Sequence, residues 1–63
     1  MASQTTPSQI INDCRSDIWQ AIFKLNEVKD YGNADSLILE AARCGDMHEW
    51  MSLREEALVM VAV

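Results

Sequence analysis

Cys44 and His48 are the one pair in this chain whose types and spacing would support covalent chemistry. If a single helix ran through both, four residues of separation would make them neighbours on one face, and a thiolate beside an imidazole is a nucleophile. Gly45 stands between them. The pair would also need an oxyanion site and an enclosing pocket, which a helical domain of about 60 residues can hardly build. The acidic pairs Asp13/Asp17 and Glu55/Glu56 read as solvated faces rather than as acid–base pairs. One histidine and two distant cysteines lack the spacing of a zinc site. A Gly-rich phosphate loop, a Ser-His-acid set and a His-x-x-x-His pair are all missing from the sequence. The expectation is a protein without catalytic, cofactor-binding or metal-ligating residues, with His48 at the surface near a helix start.

Composition narrows what remains. Sixty-three residues make one domain at most, and a core that small is marginal unless dense helix packing or self-association supports it. Apolar residues are 49% of the chain, too many for intrinsic disorder, and no stretch nears the ~18 consecutive apolar residues of a membrane span. The net charge of −5 and the scattering of Arg15, Lys24, Lys29, Arg43 and Arg54 argue against direct nucleic-acid binding. The polar start, Met1 to Gln9, has no basic and apolar run of a secretory signal. A reducing, cytoplasmic setting is therefore expected, with Cys14 and Cys44 as small buried apolar side chains. Counted from a turn at Gly32, Cys14 lies 18 residues back and Cys44 lies 12 forward. That stagger of ~9 Å in an antiparallel hairpin is too large for a disulfide between them.

The elements that position these residues are helices. Residues 1–5 read as a polar, frayed tail and residues 6–63 as a single helical domain. Thr6, Pro7 and Gln9 form an N-cap, a first helical position and a capping-box partner. A long helix then runs to about Tyr31, with Ile11, Cys14, Ile18, Ala21, Leu25 and Val28 as a heptad seam that Ile10 and Ile22 widen. Gly32-Asn33 is expected to end it, with Asn33 or Asp35 capping the next helix. That second helix, about Ala34 to Cys44, is apolar nearly all round and is expected to be central, covered on more than one side. Gly45-Asp46 predicts a tight turn, Asp46 and Glu49 a fresh capping box, and Met47 a third helix to about Met60. One continuous helix from 34 to about 60 is the alternative. In the third helix Met47, Trp50, Met51, Ala57, Leu58 and Val61 share a face, and Leu53 and Met60 form a thinner stripe.

The run Ser36-Leu37-Ile38-Leu39-Glu40-Ala41-Ala42-Arg43-Cys44-Gly45-Asp46 resembles the helix-turn-helix of an ankyrin repeat. It covers about a sixth of the chain, has no second copy, and lacks the proline and histidine of that repeat's opening. The resemblance implies a turn at Gly45 and carries over no binding residue.

The fold class is thus all-α: a long first helix followed by an αα-hairpin, with more apolar surface than one three-helix unit hides. A homodimeric helical bundle is expected, with Ile11, Ile18, Leu25, Trp50, Leu58 and Val61 at the subunit interface. Trp19 and Phe23 lie off the seam, one turn apart, with Arg15 placed to lay its guanidinium over Trp19. Either a third helix or second subunit covers this pair, or it is an exposed anchor for a partner. With Met60 and Val63 of the apolar end, Arg15, Trp19 and Phe23 are the candidate contacts to a larger protein that the chain inhibits or adapts. Small acidic helical proteins of phages and mobile elements that disable host machinery are similar in style. The alternative function is an acidic mimic of nucleic acid, with Asp13, Asp17 and Glu27 nearest to a phosphate-like row.

Overall fold

The computed structural model describes residues 6–62, all of whose regular structure is helical: α1 (Pro7–Glu27), α2 (Tyr31–Arg43) and α3 (Met47–Val61). The expectations for residues 1–5 and Val63 fall outside this span. Thr6 caps α1 in an extended conformation, its Oγ1 accepting the Gln9 N–H at 3.2 Å, and Pro7 follows where no helical N–H is needed.

The first turn of the chain is not where the glycine stands. α1 ends at Glu27, and Lys29 takes the left-handed conformation, φ 64°. The Lys29 N–H donates to the Asn26 carbonyl at 3.0 Å and the Asp30 N–H to the Leu25 carbonyl at 2.8 Å. Together these two bonds are a Schellman cap with Lys29 in the place usually held by glycine. Asp30 then opens α2, its carboxylate accepting from the Asn33 side-chain amide at 2.8 Å, and Gly32 lies inside the first turn of α2 with ordinary helical φ. The expected break at Gly32-Asn33 is therefore corrected to Lys29. Val28, expected in the seam, is 67% exposed because the helix has already ended there.

The second turn falls where the ankyrin-like run places it. Asp46 is the N-cap of α3, with Oδ1 accepting the Glu49 N–H at 2.9 Å. The Glu49 carboxylate in return accepts from the Gly45 N–H at 3.4 Å, one residue before the usual capping-box donor. Residues 34–60 are thus two helices, not one.

α1 is the element on which both others pack, and α2 and α3 touch each other least. The grooves between α1 and α3 set Ile10 and Cys14 beside Met51, and Ala21 and Lys24 beside Leu58 and Val61, so these two helices run parallel and α2 runs against them. The core joins Ile18, Ala21, Ile22 and Leu25 of α1 to Ala34 and Leu37 of α2 and to Leu53 and Ala57 of α3. Two expectations are corrected by this arrangement. α2 is a flanking helix: only Ala34 and Leu37 are buried in it, while Tyr31, Ile38 and Leu39 are exposed. In α3 the stripe of Leu53 and Met60 faces inward with Ala57, and Met51 and Leu58 lie outside.

Burying a large aliphatic side chain such as Ile18, Ile22 or Leu37 stabilises the fold by roughly 1.5–3 kcal/mol, and a core of this size supplies only a few such residues. Leu37→Ala should cost about 2–5 kcal/mol and leave the chain largely unfolded by circular dichroism at 25 °C, whereas Leu39→Ala should shift stability by less than about 0.5 kcal/mol. The turn assignment has its own test by urea denaturation. Lys29→Gly should raise stability by about 0.5–1 kcal/mol by relieving the left-handed residue. Gly32→Ala should also raise it, by about 0.5 kcal/mol, since a Cβ there meets nothing within 4 Å. A loss of stability in Gly32→Ala would move the turn back to the glycine.

Candidate functional site

Cys44 closes α2 and His48 lies in the first turn of α3, so the turn at Gly45-Asp46 separates them onto different helices. Both line an open groove between α2 and α3 whose rim is acidic, with Glu40, Glu49 and Glu56. Burial pushes the Cys44 thiol above its ordinary value, and the nearby carboxylates of Glu49, Glu40 and Asp46 add to the shift. A thiol so placed holds its proton, the opposite of what a nucleophile needs. Among the described residues no three His, Cys, Asp or Glu side chains converge to hold a metal ion.

Cys14 and Cys44 are both free thiols. The stagger expected between them does not apply, because each stands 15 residues from the turn at Lys29. They instead face different grooves, Cys14 that between α1 and α3 and Cys44 that between α2 and α3. Cys14 is buried as expected, and Cys44 is half-buried.

Trp19 and Phe23 form the aromatic feature of the surface. They are 44% and 64% exposed, with ring centroids 6.3 Å apart and planes tilted by 42°. Among the described residues no helix covers the pair fully. Asp17 points to α3, where Arg54 Nε donates to its Oδ2 at 2.6 Å. Trp19 lies two residues further on, about 200° round α1, and therefore on the flank turned toward α2. Tyr31 and Ile38 occupy the flank of α2 roughly opposite to Glu40 and Cys44, which line the α3 side. The two exposed flanks meet along the outer seam of α1 and α2. Sequence reasoning missed Ile38 because an apolar helix was read as a covered one, and Tyr31 because it was placed at the end of the first helix.

The other expected contacts are distributed differently. The Arg15 guanidinium lies over Trp50, 5.8 Å from the ring centroid, and not over Trp19. Trp50 stands in the first turn of α3, half-buried beside α1, while the Trp19 ring packs with Phe23. Met60 is half-buried against the core, and Val63 lies outside the described residues. Of the residues expected between subunits, Ile18 and Leu25 are buried in the core within the chain. Ile11, Trp50 and Val61 are half-buried, and Leu58 is 44% exposed. Asp17, the central member of the acidic row, is paired with Arg54 rather than presented alone.

No protein-family model matches the chain, and neither a curated protein nor a solved structure gives a match. No helix among the described residues is long and apolar enough to cross a membrane.

The thiol at Cys44 gives a direct chemical test. Its rate of alkylation by iodoacetamide should rise with pH along a curve whose half-point lies above that of an ordinary cysteine, and should not change when His48 is replaced by Ala. A half-point below the ordinary value that moves in His48→Ala would establish an activated thiol.

Proposed function

We propose that this chain is a non-catalytic protein-binding module, an inhibitor, anti-activator or adaptor that docks on a larger protein and works as a homodimer. The observation that carries the reading is the Trp19–Phe23 pair, exposed on α1 and continued by Tyr31 and Ile38 of α2. Aromatic side chains bring large contact area for few frozen rotors, and Trp and Tyr are enriched at the energetic centres of interfaces. Asn12, Ser16 and Asn26 share the flank of Trp19 at helical spacing, and Arg15, Glu27 and Asp35 stand one turn from Trp19, Phe23 and Tyr31 as its charged rim. An aromatic centre with a charged rim suits a partner that offers an apolar cleft with polar edges. The raised Cys44 thiol, which burial and neighbouring carboxylates keep protonated, favours binding over chemistry. A reducing compartment suits two free thiols, and the style of action matches small phage products that occupy a host factor.

The experiment is capture of a partner from lysate by the wild-type chain, repeated with Trp19→Ala and Phe23→Ala. Each substitution should weaken recovery by at least about tenfold, since anchors at interface centres contribute 2 kcal/mol or more. Circular dichroism and the urea midpoint should stay close to wild type, because both rings are exposed. Undiminished capture by the double variant would reject this face as the binding site.

A further inference from the structure

Trp19 and Phe23 leave the opposite flank of α1, along α3, unassigned. Asp13, Asp17, Gln20 and Lys24 recur there at steps of four, three and four, one stripe of the helix. Met51, Arg54, Leu58 and Val61 recur on α3 at steps of three, four and three. The two stripes line consecutive shallow grooves that meet at Asp17, and the Asp17–Arg54 ion pair holds the two helices level there.

The pattern is complementary to itself when reversed. Asp13 and Lys24 are centred between residues 18 and 19, and so are Asp17 and Gln20. Met51 and Leu58 are centred between residues 54 and 55, beside the Arg54 that pairs with Asp17. A two-fold axis lying in this face and crossing the helices near that ion pair sets α1 against α1 and α3 against α3, each antiparallel. Asp13 then meets Lys24 of the partner subunit, 11 residues or about 16 Å along the helix from its own, and Met51 meets Leu58 of the partner subunit.

We propose that a second copy of this chain occupies the α1–α3 face in this antiparallel arrangement, a proposal that rests on the reading of the chain as a dimeric binding module. Charge selects this face for self-association. The chain carries −5 overall, so two copies repel unless they meet on a neutral surface. Here Lys24 and Arg54, two of the five basic residues, offset Asp13 and Asp17, leaving Glu55, between Met51 and Leu58 on α3, unbalanced. The α2–α3 groove, where Glu40, Glu49 and Glu56 outnumber Arg43, would bring an excess of like charges together. The exposed apolar part is small, chiefly Met51 and Leu58, so the dimer is a weak one, with a dissociation constant in the micromolar range.

Sedimentation equilibrium over about 10–500 µM, the span a small interface requires, tests this on the intact chain. The wild type should show a monomer–dimer equilibrium, and Leu58→Asp should be a folded monomer by circular dichroism, since Leu58 is exposed. Asp13→Lys sets lysine against lysine and Lys24→Asp sets aspartate against aspartate, twice per dimer. Each alone should weaken association about tenfold, as loss of two surface pairs and their replacement by repulsion predicts. The double variant Asp13→Lys/Lys24→Asp restores both pairs and should return to within about threefold of wild type. A mixture of the two single variants should form a heterodimer, because each new charge then meets its opposite. A wild type that stays monomeric throughout overturns the proposal and the dimer reading together. A dimer indifferent to the charge swaps, or one dissociated by the Trp19→Ala/Phe23→Ala pair, overturns the face while leaving dimerisation standing. Neither outcome touches the capture experiment.

Discussion

Cys14, Ile18, Ala21, Ile22 and Leu25 form a single apolar stripe on α1, and both other helices depend on it. α2 and α3 bring two buried residues each, Ala34 with Leu37 and Leu53 with Ala57, and touch each other little. Neither would have a surface to bury against without the first helix. Local signals reinforce the arrangement: Thr6 starts α1, the left-handed Lys29 reverses the chain after it, and the Asp46–Glu49 cap starts α3. The caps set lengths and directions, and the stripe supplies the burial free energy that holds the directions in place.

A core carried by one stripe leaves much apolar surface outside it. α1 is wide enough to receive a neighbour on each side of its stripe, but α2 and α3 are each buried along only one narrow line. Part of the apolar surface left outside falls on two faces of different character, both bordered by α1. The seam between α1 and α2 is aromatic at its centre, with Arg15, Glu27 and Asp35 at its edges. The groove between α1 and α3 is aliphatic, with acidic and basic side chains at regular spacing. The first suits a foreign apolar cleft, and the second suits a surface that repeats its own pattern in reverse.

The only thiol near a histidine in sequence illustrates how a turn removes chemistry. A helix through residues 44–48 would have stacked Cys44 on His48. Gly45 and Asp46 break it, and the Asp46 cap gathers carboxylates round the sulfur. Burial and then negative charge both favour the protonated thiol there.

Helix number, the start of α1, the turn at Gly45-Asp46 and the inward stripe of α1 were all legible in the sequence, because caps and heptad spacing act within a few residues. The end of α1 was not. Gly32 is the residue that most easily adopts the left-handed conformation, yet Lys29 adopts it, since closing the helix three residues sooner lets Ala34 and Leu37 reach Ile18, Ile22 and Leu25. The facing of α2 and α3 was likewise beyond a local pattern. A helix apolar on most sides can be turned several ways, and which side is buried depends on the shape of the neighbour that receives it. By its local chemistry the chain alone determined three helices, the capped starts of the first and third, and the apolar stripe along the first. Only tertiary packing decided that Trp19, Phe23, Tyr31 and Ile38 stay outside while Leu53 and Ala57 go in, because a single stripe on α1 has room for one line of side chains from each partner helix.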